Sequence, residues 1–201
     1  MVYYHAYDAT GKSEDRKQEH KIGRELLKRG LEREYGSSYP VVQQDGKKPR
    51  LQGADGIYFN ISHTRGMVVC AIADHEIGID VEKIRNYEER LMRRICSEDE
   101  IAYIERTEDG RAGRFFQIWT LKESYVKAIG TGLSFPFQNI TFEIQQKADS
   151  QEPERIVSNI PGFLFHQSRL NNQYIISICE PEEIHGEALE KEVFYDLSGD
   201  F

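Results

Sequence analysis

Two acidic residues on one predicted strand are the first candidates for chemistry. Asp80 and Glu82 lie two positions apart in the segment GIDVEK, and side chains two apart on a strand point to the same face. Two carboxylates on a rigid strand provide half of a site for a hard cation such as Mg²⁺, which prefers oxygen ligands. An isolated D-x-E pair more often lies on a solvated strand face, so this pair needs support from elsewhere in the chain.

The longest predicted helix, at about 114–129, supplies that support. At roughly 100° per residue, Glu123 and Lys127 share a face with several aromatic residues, and the opposite side is apolar as well. A helix that is apolar on both sides is covered on both sides, where unpaired charge is costly. A simple i,i+4 salt bridge would satisfy this pair. Together with Asp80 and Glu82, however, a third carboxylate completes a plausible magnesium site.

Three segments resemble the signature of a known enzyme family. They are NISH at 60–63, GIDVEKI at 78–84 and WTLKESYVKAIGTGL at 119–133, and they resemble the single-chain, surfactin-synthetase-activating (Sfp) type of 4′-phosphopantetheinyl transferase. The resemblance extends in order from the helix near residue 20 to the last strand near residue 180. The shorter, trimeric holo-acyl-carrier-protein synthase type fits the chain length less well.

The resemblance implies an activity. The family transfers the 4′-phosphopantetheine group of coenzyme A to a serine of an apo acyl or peptidyl carrier protein, a post-translational modification that depends on Mg²⁺ or, alternatively, Mn²⁺. The serine hydroxyl would attack the β-phosphorus, giving holo carrier and adenosine 3′,5′-bisphosphate. Carriers of fatty acid, polyketide and nonribosomal peptide biosynthesis all remain open, as does the selectivity for free or acylated coenzyme A.

The matching motifs imply the roles of the charged residues. Asp80, Glu82 and Glu123 would ligate the magnesium ion. The catalytic residues would be Glu123, Lys127 and His63. Either Glu123 or a metal-bound water would take the proton of the carrier serine, and the sequence leaves both possibilities open.

A second set of residues would bind coenzyme A by the same resemblance. Its members contact phosphate or adenine: Lys48, Pro49, Ser62, His63, Lys122 and Lys127. The two helix lysines would neutralise phosphate oxygens, and the Ser-His pair would contact the phosphates of the nucleotide part. The Lys-Pro element would lie along the adenine, although the sequence GKKP leaves the register between Lys47 and Lys48 open.

Two basic groups are further candidates for anion contacts. The first helix carries a stripe with i, i+4, i+7, i+11 spacing, formed by Lys17, Lys21, Arg24 and Lys28. This stripe either helps to hold the 3′-phosphate or simply faces water, and the chain lacks the basic segment that longer family members place before this helix. Carrier proteins are typically acidic near the modified serine, so Arg90, Arg93 and Arg94 form either a carrier docking patch or the wet face of an amphipathic helix.

The elements that must position these residues follow an α+β pattern. Helices are predicted at 14–35, 97–106 and 114–129, and strands at 2–7, 57–61, 66–73, 76–82, 140–146, 162–167 and 174–180. This order predicts two similar α+β halves, residues 1–84 and 85–201, the second ending in an acidic, loosely held tail after Pro181. The resemblance implies the same fold, a pseudodimer with the active site in the cleft between the halves.

The composition excludes several classes of protein. The 201 residues are 39% hydrophobic, enough to bury a core, and the net charge of −8 argues against a protein that wraps nucleic acid. No apolar run approaches the roughly 18–20 residues of a membrane span, and the amino terminus lacks the character of a signal peptide. We therefore expect a soluble, cytoplasmic enzyme without a membrane partner, and the single-chain resemblance implies a monomer. Three cysteines without metal-ligand spacing favour core thiols.

Two other functions remain open. A degenerate relative would bind coenzyme A or carrier protein without transfer, although all three acids and both lysines of the pattern are present. A different magnesium-dependent nucleotide or phosphoryl-transfer enzyme could use the same acids. The sequence contains no G-x-x-x-x-G-K-[ST] or G-x-G-x-x-G segment, so such an enzyme would lack a phosphate-binding loop.

Overall fold

The computed structural model of the chain describes residues 1–11, 14–42, 48–132, 135–146, 153–184 and 194–196. Its helices are α1 (Glu14–Tyr35), α2 (Glu89–Ile95), α3 (Glu98–Glu105) and α4 (Arg111–Ile129). Its first strands are β1 (Val2–Ala6), β2 (Val41–Val42), β3 (Arg50–Leu51), β4 (Tyr58–Thr64), β5 (Met67–Ala73) and β6 (Gly78–Lys83). The later strands are β7 (Phe142–Gln146), β8 (Pro153–Ser158), β9 (Phe163–Leu170), β10 (Tyr174–Pro181) and β11 (Phe194–Asp196).

Helix α1 packs across a sheet with the strand order β11–β1–β5–β4. β5 pairs antiparallel with both β1 and β4, whereas β11 runs parallel to β1. The apolar residues that recur at helical spacing along α1 are buried against this sheet: Ile22, Leu26, Leu27 and Leu31. Burial of each such side chain stabilises the fold by roughly 1.5–3 kcal/mol.

Helix α4 packs across a second, antiparallel sheet with the order β6–β10–β9. Its other side is covered by a core cluster that includes Met92, Ile95 and Ile104 of α2 and α3. The helix is therefore buried on both sides, as its sequence predicts. It ends at Gly130, whose φ of 72° is left-handed and whose N–H donates to Val126 O.

The strands of each sheet do not follow one another along the sequence. β6 follows β5 directly in sequence, yet it pairs with β10 of the second sheet, and β11 from the carboxyl end of the chain pairs with β1 of the first. The α+β class is therefore confirmed. The division into halves at residues 84 and 85 stays a prediction.

Gly78 allows β6 to approach α4 closely. A Cβ atom at this position would lie 1.9 Å from Ser124 O and 2.4 Å from Ala128 N. Only a residue without a side chain fits there, because the atoms that it would meet are backbone. Two residues further along β6, Asp80 is thereby held against the last turns of α4.

Three residues of the tail that was predicted to be loosely held form a strand in the structure. Phe194–Asp196 forms β11, the Tyr195 ring stacks on Tyr3 with a centroid distance of 5.2 Å, and the Arg33 guanidinium lies 3.9 Å from the Tyr195 ring centroid. Aromatic packing thus fixes a short segment within an acidic sequence. Residues 185–193 and 197–201 of that tail lie outside the described residues.

Other details also go beyond the sequence-based expectations. β8 was not predicted, nor was the short antiparallel pair β2–β3. The cysteine prediction is confirmed, since Cys70, Cys96 and Cys179 are buried free thiols. Of the helices in the described ranges, none is long and apolar enough to span a bilayer.

Candidate active site

Asp80 lies at the junction of β4, β6 and α4 and is only 5% exposed. Its Oδ1 accepts hydrogen bonds from Ser62 Oγ at 2.8 Å and from Lys127 Nζ at 2.5 Å. Its Oδ2 is buried without a hydrogen-bond partner among the residues that the structure describes. Burial raises the pKa of Asp80, and the charge of Lys127 opposes that rise.

Glu123 faces the same region from α4 and is 7% exposed. Its Oε1 is likewise buried, and no described residue forms a hydrogen bond with it. Burial raises the pKa of Glu123 to about 7, together with the negative charges of Asp80 and Glu82, and the positive charge of Lys127 opposes this rise. The three acids therefore lie within electrostatic reach of one another, as the sequence predicts.

Glu82, the third acid, is held by three donors. Its Oε2 accepts from Thr64 Oγ1 at 3.1 Å and from Arg85 Nη1 at 2.6 Å. Its Oε1 accepts one long hydrogen bond, 3.3 Å, from Trp119 Nε1. Neither Thr64 nor Arg85 was predicted as a site residue. Thr64 follows Ser62 by two positions, and this strand periodicity is the signal that could have revealed it.

The carboxylates are neighbours, but they do not form a closed metal cage. In the part of the chain that the structure describes, no group of three or more His, Cys, Asp or Glu side chains has an arrangement that could hold a metal as it stands. Lys127 and Arg85 partly neutralise Asp80 and Glu82 instead. Two buried carboxylate oxygens without partners nevertheless fit a hard cation, because such oxygens are costly to leave unsatisfied.

A family model described as the 4′-phosphopantetheinyl transferase superfamily matches residues 76–179, a range that contains Asp80, Glu82, Glu123 and Lys127. The chain belongs to this superfamily. The match confirms the resemblance on which the site was predicted.

Three relatives in this superfamily are similar to the chain. The 4′-phosphopantetheinyl transferase gsp of Aneurinibacillus migulanus is 36% identical over 107 residues, which cover 50% of this chain and 45% of the relative. A 4′-phosphopantetheinyl transferase of Bacillus subtilis is 24% identical over 180 residues, 88% of this chain and 80% of the relative. The 4′-phosphopantetheinyl transferase Sfp of Bacillus subtilis strain 168 is 30% identical over 129 residues, 62% and 58%. The chain thus spans only about half the length of two of these relatives.

Lys122 does not have the role that the superfamily resemblance implied. Its side chain is 0% exposed, and its Nζ donates to the Glu100 carboxylate at 2.7 Å. Three backbone carbonyls complete its surroundings, those of Ile95, Phe137 and Ile140 at 2.7, 3.0 and 2.7 Å. Lys122 joins α4 to α2 and α3 inside the core. The prediction that it binds a phosphate of coenzyme A was wrong, because its ammonium group has no access to a ligand.

Ser62 is also engaged within the protein. Its hydroxyl donates to Asp80 Oδ1 and accepts from Lys127 Nζ at 2.8 Å and from Val81 N at 3.3 Å. One donor and two acceptor positions are all that a hydroxyl has. The Ser62 hydroxyl is therefore fully engaged by Asp80, Lys127 and Val81, and a phosphate contact of Ser62 stays a prediction.

The roles of Lys127 and His63 toward phosphate stay predictions, and both side chains are partly accessible to solvent. Lys127 Nζ donates to both Ser62 Oγ and Asp80 Oδ1, and 27% of the Lys127 side chain remains exposed. His63 Nδ1 lies 3.0 Å from Glu19 Oε2 of α1, and the side chain is 42% exposed. Burial lowers the pKa of His63, and the charge of Lys127 also acts in that direction.

Lys48 and Pro49 line a cavity of about 150 Å³ together with Leu51 and Phe59. The Lys48 ammonium does not point freely into it, because it donates to Glu76 Oε2 at 2.8 Å, to Ile77 O at 2.7 Å and to Ala128 O at 3.3 Å. The contact of Lys48 and Pro49 with adenine stays a prediction, and this cavity is where the adenine would bind. Lys47, the alternative in the GKKP register, lies outside the described residues.

Both basic groups are solvent-exposed. The α1 stripe consists of exposed side chains throughout: Lys17, Lys21, Arg24 and Lys28. On α2, Arg90, Arg93 and Arg94 face solvent while Met92 and Ile95 are buried, so the helix is amphipathic. Their contacts with 3′-phosphate or carrier protein stay predictions.

Proposed function

We propose that the chain transfers the 4′-phosphopantetheine group of coenzyme A to a serine of an apo acyl or peptidyl carrier protein, with Mg²⁺ or Mn²⁺ as cofactor. The single observation that carries this proposal is the pair of buried, unpartnered oxygens, Asp80 Oδ2 and Glu123 Oε1, next to Lys127. The names of the superfamily relatives support the activity. The proposed enzyme is cytoplasmic, and the single-chain resemblance implies that it is a monomer.

The metal would be held by Asp80, Glu82 and Glu123, and when bound it would neutralise charge on the pyrophosphate. Lys127, which is partly exposed, would add a second positive charge for the phosphate oxygens. His63 would contact the nucleotide phosphates from the end of β4. The chemistry then consists mainly of positioning and charge neutralisation.

The proposed reaction forms one P–O bond and breaks another. The carrier serine Oγ bonds to the β-phosphorus of coenzyme A, the pyrophosphate bond breaks, and adenosine 3′,5′-bisphosphate leaves. Glu123 would accept the serine proton.

The test uses purified protein, Mg²⁺, coenzyme A and a panel of apo carriers, with mass spectrometry of each carrier. We expect a gain of one phosphopantetheine on the carrier serine. Asp80→Ala should lose metal-dependent activity, and Glu123→Gln should lose turnover more than affinity for coenzyme A. No mass gain on any carrier would overturn the proposal, and near-normal rates in both variants would show that the site lies elsewhere.

The carrier would dock on the exposed arginines of α2. Because the chain is acidic overall, with a net charge of −8, a local positive patch must meet an acidic partner. Reversing the charges of Arg93 and Arg94 should raise KM for the carrier and leave coenzyme A binding unchanged. Arg155→Glu, at an exposed position on β8, is the matched control. An unchanged KM in the Arg93 and Arg94 variant would rule out this docking surface.

A further inference from the structure

β4 and β6 lie side by side at the site, although they belong to different sheets. Side-chain oxygens, not backbone carbonyls, connect them. Alternate residues of β4 accept hydrogen bonds from alternate backbone N–H groups of β6: Asn60 Oδ1 from Ile79 at 2.9 Å, Ser62 Oγ from Val81 at 3.3 Å and Thr64 Oγ1 from Lys83 at 3.3 Å. These N–H groups point away from β10, and a buried N–H without an acceptor would be destabilising.

The two hydroxyl groups of this series also contact the acids. Ser62 Oγ donates to Asp80 Oδ1 at 2.8 Å, and Thr64 Oγ1 donates to Glu82 Oε2 at 3.1 Å. Each hydroxyl therefore accepts from one β6 backbone N–H and donates to the carboxylate of the preceding residue. Because the accepted bond occupies an oxygen lone pair, the hydroxyl hydrogen is directed toward the carboxylate. The same arrangement occurs twice, two residues apart on both strands.

For Glu82 this arrangement distinguishes the two carboxylate oxygens. Oε2 is engaged by Thr64 and Arg85, whereas Oε1 accepts, among the residues that the structure describes, only the 3.3 Å hydrogen bond from Trp119. Thr64 is buried, so its hydroxyl is shielded from competing water. The rotation of the carboxylate is thereby fixed with Oε1 as the weakly bound oxygen.

We propose that Thr64 is a positioning residue that orients the Glu82 carboxylate for the divalent cation, as Ser62 does for Asp80. This inference rests on the proposed function, because it assumes that the cation binds there. Partners that orient metal ligands commonly contribute about tenfold to a hundredfold in metal affinity. Thr64 is the cleaner residue to test, since Ser62 also binds Lys127.

The test measures Mn²⁺ binding to Thr64→Val, which removes the hydroxyl and keeps the side-chain shape. Trp119 is the single tryptophan of the chain and contacts Glu82, so its fluorescence should report Mn²⁺ binding by quenching. With saturating coenzyme A present, we expect Kd for Mn²⁺ to rise about tenfold or more. Thr64→Ser should restore the wild-type Kd, and Kd for coenzyme A in EDTA should stay unchanged.

Thr107→Val serves as the matched control, because Thr107 is exposed and its hydroxyl bonds only to Asp109 O among the contacts that the structure describes. If Thr64→Val unfolds, Thr64→Ala provides the same comparison. Wild-type Mn²⁺ affinity in a folded Thr64 variant would overturn the inference and leave the proposed function standing. Absence of Mn²⁺ binding to the wild-type protein would instead count against the metal site of the proposed function itself.

Discussion

Replacing Lys122 by methionine should destabilise the protein strongly. The ammonium group is fully buried between the Glu100 carboxylate and the carbonyls of Ile95, Phe137 and Ile140. Methionine fills much of the same volume but leaves the carboxylate without its counter-ion. Removing one partner of a buried ion pair costs about 3–5 kcal/mol, because the remaining charge stays uncompensated in the core.

The magnitude can be measured by urea and thermal unfolding followed by circular dichroism. For a chain of this size, each kcal/mol shifts Tm by about 2–4 °C, so Tm should fall by about 6–20 °C. Lys122→Met combined with Glu100→Gln should regain part of that loss, because the unpaired charge is then absent. In the wild type both Glu100 oxygens accept from backbone N–H groups, those of Ser97 and Phe142. A glutamine side chain has one acceptor oxygen, so one of these N–H groups loses its partner, and this loss limits the recovery.

Lys127→Met is the matched control on the same helix. Its side chain is 27% exposed next to the buried Asp80, so water partly screens this ion pair. The variant should lose transfer activity and show a smaller fall in Tm than Lys122→Met. The opposite pattern would refute the reasoning: Lys122→Met with a free energy of unfolding within about 1 kcal/mol of wild type, together with weakened coenzyme A binding, would return Lys122 to the phosphate site.

Two further predictions concern stability. Gly78→Ala should lower the free energy of unfolding by about 3 kcal/mol or more, because its Cβ would meet the α4 backbone at 1.9 Å; a urea midpoint equal to wild type would contradict the close approach. Hydrogen bonds to Glu180 and then to Asp74 raise the pKa of His75 above its ordinary value near 6.5. The resulting stability should be fully present below about pH 6.5 and be lost as pH rises through the folded-state pKa. Unfolding curves of wild type and His75→Gln at pH 6 and pH 9 should therefore converge at the higher pH, and a constant difference would contradict this linkage.

Local patterns in the sequence were sufficient for the elements that carry the site. The alternation in GIDVEK correctly predicted β6, and the dense apolar pattern of α4 correctly predicted a helix covered on both sides. The helix predicted at 97–106 is present as α3, which begins with a capping box between Ser97 and Glu100. Each of these features depends on residues within a few positions of one another, so the sequence displays them directly.

Long-range contacts decided the roles that the sequence misassigned. Lys122 and Glu123 are adjacent on one helix, and the resemblance implied that Lys122 contacts coenzyme A and Glu123 the metal. Only the packing of α2 and α3 places the Lys122 ammonium in the core, while Glu123 faces the β4–β6 junction. Likewise, the three aromatic and acidic residues of β11 form a strand only because β1 offers a free edge.

The sequence by itself determined which residues could ligate a cation and which elements carry them, since side-chain type and period are local properties. The tertiary structure alone decided which hydroxyl, ammonium or guanidinium group each carboxylate meets, as with Ser62 at Asp80 and Thr64 at Glu82. Those partners come from strands and helices that are distant in sequence, and their positions depend on how two sheets pack edge to edge. Burial and hydrogen-bond capacity are properties of that packing.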